Sequence, residues 1–200
     1  MTAPATTQPG PVPADGAPHA VPDVSRLAWG ATWPSLDEFR AMAPGRRVIP
    51  VVRRLLADGT TPVGLYRALA GGRPGTFILE SAGSDGTWDR YSFVGVNSRA
   101  TLTARDGEPV WVGDVPVGVP TAGRLLDVLG RTLEVLRTPA VPGLPPLTGG
   151  LVGVLGWDVV RQWEPTLPAD APDELGAPEV ALLLVGDLAV VDHHEGAVWL

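Results

Sequence analysis

Cysteine and lysine are both missing from this 200-residue chain, and each absence closes off some chemistry. Without a thiol there is no disulfide framework, no zinc–thiolate site and no cysteine nucleophile, and nothing conflicts with a reducing, cytoplasmic setting. Without a lysine amine there is no Schiff base and no phosphate-loop lysine; all 15 basic residues are arginines. A long apolar run is missing too. The longest candidate, Val180–Val191, is interrupted by Gly186 and Asp187, falls short of the ~20 residues of a membrane span, and reads as a buried strand. Nor is there an excess of positive charge. With 22 acidic against 15 basic residues the net charge is -7, which argues against a broad footprint on nucleic acid or an anionic membrane. The N-terminal stretch has neither a basic n-region nor an apolar h-region, so it does not read as a secretory signal.

What is present is a folding composition: 44% hydrophobic and 18% charged residues, enough for one large domain or two small ones. The 25 glycines and 22 prolines demand many turns and a tail. A Pro/Ala-rich disordered tail is expected over residues 1–28, followed by an ordered domain over 29–200. Ser35 and Glu38 have capping-box spacing and predict a short helix ending near Ala43. In Arg47–Leu56, Pro50 allows only an edge strand or a kinked one. Thr61 followed by Pro62 opens a helix predicted over Pro62–Ala70, stopped by Gly71-Gly72.

From Thr76 the period shortens and three hairpins are predicted. They are Phe77–Ser81 with Trp88–Val96, Ala100–Arg105 with Val110–Val112, and Leu188–Asp192 with Ala197–Leu200. Strands joined by tight turns must be antiparallel. Between them, Thr121–Arg137 reads as a helix with Leu125, Leu126, Leu129, Leu133 and Leu136 on its buried face. Trp157–Trp163 reads as a short helix. The fold class is therefore α+β, a mostly antiparallel β-sheet with helices packed on a face. Ala197–Leu200 rises apolar with no turn or polar tail after it, so the chain is expected to be a truncated piece of a longer protein.

Candidate sites are few. His193 and His194 beside Asp192 and Glu195 invite a metal reading, but neighbours on a strand face opposite ways, and a solvated hairpin end is favoured. The glycines from Gly149 to Gly156 lack the spacing of a nucleotide loop and read as close backbone packing. No G-x-S-x-G elbow is present. The remaining constellation is FILESAGSDGTWDRYSFVG over Phe77–Gly95, where hairpin geometry brings Glu80 and Ser81 near Arg90 and Ser92. Two readings stand side by side: a surface ion pair of little energetic weight, or a holder for the ammonium and carboxylate of an amino acid.

Four segments, in order and with matching separations, resemble the N-terminal region of anthranilate synthase component I, among the chorismate-utilising enzymes. These are PVVRRLLADGTTPVGLYRAL, RPGTFILESAGSDGTWDRYSFVG, LTGGLVGVLGWDVVRQWE and LLLVGDLAVVDHHEG. The resemblance implies a lyase that converts chorismate to anthranilate in tryptophan biosynthesis. It also implies Mg²⁺ and ammonia from a glutamine amidotransferase subunit, component II. The family's catalytic residues and Mg²⁺ ligands lie in a C-terminal chorismate-binding region outside this sequence, so the chain alone is expected to be inactive, with no catalytic residue and no metal ligand of its own. The family's N-terminal region carries much of the feedback site for L-tryptophan around an L-L-E-S motif. By that motif Leu79, Glu80 and Ser81 are expected to bind the inhibitor, with Ile78 in place of the first Leu; Pro62 matches the proline opening the preceding helix, and Arg90, Tyr91 and Ser92 match the return strand. The alternatives are the N-terminal part of aminodeoxychorismate synthase component I, in folate synthesis, and a non-catalytic amino-acid-sensing or interaction module. Glu80-Ser81 favours the anthranilate enzyme.

Overall fold

The computed structural model describes residues 22–80, 90–105, 107–168, 172 and 174–200. The chain runs β1 (Thr32–Trp33), α1 (Leu36–Met42), β2 (Val52–Leu56), α2 (Pro62–Ala70), β3 (Phe77–Leu79), β4 (Tyr91–Val96), β5 (Ala100–Arg105) and β6 (Glu108–Gly113). It continues with α3 (Leu125–Val135), β7 (Gly150–Leu155), a 3-10 helix (Trp157–Gln162), β8 (Val180–Val185), β9 (Asp187–Asp192) and β10 (Ala197–Trp199). Every strand pairing is antiparallel, in a six-stranded sheet ordered β1-β2-β10-β9-β4-β3 and a four-stranded sheet ordered β6-β5-β8-β7. The fold is α+β, with helices on antiparallel sheets.

Local chemistry sets the helix starts. The Ser35 hydroxyl accepts from the Glu38 amide while the Glu38 carboxylate accepts from the Ser35 amide, the reciprocal box expected from the spacing. Thr61 caps α2 through the Gly64 amide, Pro62 occupies the first turn, and Gly71 ends the helix in the left-handed region. The helix predicted from Thr121 begins only at Leu125, because Gly123 at φ 123° interrupts a helical path. Its buried face also differs from the leucine stripe. Leu125, Val128 and Thr132 are buried, whereas Leu133 is 49% exposed. Thr132 can take a core position because its hydroxyl donates to the Val128 carbonyl, 2.7 Å away.

The apolar stretch Val180–Val191, expected as one strand, is two strands in different sheets. β8 pairs with β5 and β7, and β9 with β4 and β10. The chain crosses between sheets at Gly186, alongside its earlier crossing from β4 to β5 at Asn97–Arg99. Asn97 sits at φ 54° and its amide donates to Asp187 Oδ2 at 2.7 Å, while the Ser98 hydroxyl reaches the Ala100 and Leu184 carbonyls, each at 3.0 Å. These polar bonds fix the double crossing.

Three apolar clusters result. Val94, Val96, Ala189, Val191 and Val198 pack under α2; Leu102, Leu182 and Val180 pack under α3 and the 3-10 helix. Trp33, Val190 and Trp199 form the third on the opposite face of the six-stranded sheet, joined by Val24. Val24 is 3% exposed and its amide donates to the Pro142 carbonyl, so ordered packing begins ahead of residue 29; residues 1–21 of the expected tail lie outside the described residues. Close packing of backbone at the glycine-rich segment is borne out at Gly153, where a Cβ would lie 1.9 Å from the Ala181 carbonyl oxygen of β8. Gly153→Ala is expected to force β7 off β8 at a cost above about 2 kcal/mol, read as a lowered thermal midpoint. An unchanged midpoint would mean that the two strands can separate freely at this point.

Candidate functional site

One end of the six-stranded sheet collects most of the candidate residues. β3 pairs with β4 through Phe77 with Gly95, Ile78 with Val94 and Leu79 with Phe93; continuing that register by one residue sets Glu80 opposite Ser92. Ile78 packs in the cluster under α2, so Glu80, two residues on, emerges on the same face. Ser92 lies on that face too, two residues before Val94. β2 ends at the β9–β10 turn, where the Ala57 amide donates to the Gly196 carbonyl at 2.9 Å, and α2 then starts at this end of the sheet with Pro62 buried. The structure therefore brings Pro62, Glu80 and Ser92 to one end and one face. Leu79 and Tyr91 alternate to the other face, where Tyr91 packs with Phe93 in the cluster of Trp33 and Trp199. Ser81 lies outside the described residues.

Arg90, at the start of the return strand, is committed elsewhere than to Glu80. Its Nε lies 3.0 and 3.1 Å from the two Asp192 carboxylate oxygens, and its Nη2 lies 2.6 Å from Oδ2 and 3.3 Å from Glu195 Oε1. The Asp192 side chain is 1% exposed. The hydrogen bond to Asp192 raises the guanidinium pKa further above its ordinary value, and burial raises that of the neighbouring Tyr91 phenol. Asp192 Oδ1 also accepts from the His194 and Glu195 amides at 3.1 and 3.3 Å, which ties the β9–β10 turn together. Glu195 is shared with Arg54, whose guanidinium stacks 4.1 Å from the Trp29 ring.

The hairpin end read from sequence as solvated is exposed at His193, His194 and Glu195, and anchored inward at Asp192. Asp192 is buried, and His193 Nε2 lies 2.8 Å from the Oγ of Ser92, itself 0% exposed, while the His193 amide donates to the Arg90 carbonyl at 2.9 Å. Sequence reasoning passed over Asp192 and His193 as partners of the Arg90–Ser92 segment. The only signal was the D-H-H-E turn itself, about a hundred residues distant. Among the described residues Glu80 is exposed and its carboxylate has no partner, so the ion pair with Arg90 is not made. No cluster of three His, Asp or Glu side chains able to hold a metal occurs among the described residues. No described helix is long and apolar enough to cross a membrane.

A further cleft is a separate feature. It encloses about 1020 Å³ between the two sheets, bordered by Val51, Leu133, Leu136 and Leu184, and none of the candidate residues lines it.

No family model matches the chain. Curated relatives do. Anthranilate synthase component 1 of Arthrobacter globiformis is 53% identical over 171 residues, covering 86% of this chain and 32% of that protein. The chain belongs to the anthranilate synthase component 1 family. Component 1 of Mycolicibacterium smegmatis is 50% identical over 83% of this chain, and that of Synechocystis is 32% identical over the same share. The chain spans about a third of the length of these curated relatives. A crystal structure of component I from Streptococcus pneumoniae aligns over 70% of this chain and 28% of its own, at 23% identity and a TM-score of 0.45.

Proposed function

We propose that this chain forms the N-terminal, tryptophan-sensing part of an anthranilate synthase component 1, which with a glutamine amidotransferase as component II converts chorismate to anthranilate in the cytoplasm. The observation that carries this reading is the 53% identity to a curated component 1 across most of the chain. Its contribution to the enzyme is binding and control. The exposed Glu80 carboxylate, without a partner among the described residues, supplies a counter-charge for the ammonium of tryptophan, at the end of the sheet where the buried Pro62 opens α2. Pro62 and Ser81 are proposed as further contacts and Arg90 and Ser92 as supports, whereas Leu79 and Tyr91, expected in the same site, lie on the other face of the sheet and serve its packing. Mg²⁺ and the groups that act on chorismate belong to the remaining two thirds of a component 1 polypeptide.

A chimera tests the reading: component 1 of Arthrobacter globiformis with its matching segment replaced by this chain, assayed with chorismate, Mg²⁺ and ammonium. Anthranilate fluorescence that tryptophan suppresses is the expected result, and the 200-residue chain alone is expected to give none. Aminodeoxychorismate as product, or turnover by the chain alone, would overturn the assignment.

A further inference from the structure

Glu80, Ser92 and His193 occupy three neighbouring strands, or their direct continuations, on one face of the sheet. The β4–β9 register pairs Ser92 with Val191, which packs under α2, and His193 follows two residues later on the same face. Two strand spacings, roughly 10 Å, separate the backbones of β3 and β9, room for the zwitterionic end of an amino acid between a carboxylate on one side and an imidazole on the other. Ser92 stands between them but is 0% exposed, and its hydroxyl meets His193 Nε2 at 2.8 Å. A hydroxyl that donates to Nε2 leaves the ring proton on Nδ1. His193 is exposed, and its Nδ1 has no partner among the described residues. Arg90, at the same end, is already held by Asp192 and Glu195.

We propose that His193 is a ligand-facing residue of the amino-acid site, its Nδ1–H binding the carboxylate of the amino acid whose ammonium Glu80 holds. This rests on the tryptophan-sensing reading above. Ser92 is then a positioning residue that fixes the tautomer and the ring plane, and Arg90 serves to anchor the β9–β10 turn that carries the imidazole.

Two isosteres separate the ring nitrogens. The amide nitrogen of asparagine takes the place of Nδ1, and that of glutamine takes the place of Nε2. In the chimeric component 1, His193→Gln is expected to raise the tryptophan concentration for half-inhibition about tenfold, the scale of a lost hydrogen bond to a charged group, while His193→Asn stays near the parent. In the chain itself, titration with L-tryptophan should move the Nδ1 resonance of ¹⁵N-labelled His193. The reverse order of the two variants, with Gln unaffected and Asn impaired, would reduce His193 to a support for Ser92 and overturn the proposal. So would an unmoved Nδ1 resonance where Glu80→Ala still weakens inhibition. If neither Glu80→Ala nor any His193 variant alters inhibition, the tryptophan-sensing reading itself falls.

Discussion

Glu80→Ala in the chimeric component 1 should raise the tryptophan concentration needed for half-inhibition by tenfold or more while the uninhibited rate with chorismate stays close to the parent. A charge-assisted contact is worth about 1.5–3 kcal/mol, and a coupling between an inhibitor and a distant active site is usually about 1–3 kcal/mol, so one lost contact can remove most of the control. The same change should leave stability within about 0.5 kcal/mol, because the Glu80 side chain is exposed and bonds to nothing among the described residues. That contrast distinguishes a ligand contact from a structural one. Dose–response curves read beside thermal midpoints decide it: a lowered midpoint with unchanged inhibition would make Glu80 a structural residue of the hairpin.

Asp192→Ala should do the opposite, lowering stability by about 3 kcal/mol. Asp192 is 1% exposed and binds both the Arg90 guanidinium and the amides of the turn, so its loss leaves a cation and two backbone donors without their acceptor. Arg90 retains one-third of its side-chain exposure, which lets water recover part of the loss and sets the estimate at the low end of the usual range for a broken buried pair. Asp192→Asn keeps an oxygen for the turn amides and removes only the charge, so it should cost less. Urea unfolding of both variants provides the check; equal and small losses would mean that the turn is held without the carboxylate.

Much of the local structure was legible in the sequence because its causes are local. The Ser35–Glu38 box, the Thr61-Pro62 start of α2 and the three hairpins depend on residues a few positions apart, and their described parts appear close to where spacing and turn chemistry put them, the turn of the first hairpin lying outside the described residues. The resemblance to anthranilate synthase component 1 was equally legible, since four motifs in order do not require coordinates. Tertiary structure alone decided the division of Val180–Val191 between two sheets, because periodicity in an apolar run says that it is buried but not against which neighbour. It also chose Leu125, Val128 and Thr132 over Leu133 as the buried face of α3, a choice made by the shape of the sheet beneath. The same holds for the candidate site. Alternation along β4 could be read to separate Tyr91 from Ser92, but only the β4–β9 pairing reveals that Asp192 captures Arg90 across 102 positions and that His193 meets Ser92. Those contacts form between strands that no local preference joins; they exist because burying the apolar faces of β4 and β9 together fixes a register, and the register then selects which polar ends meet.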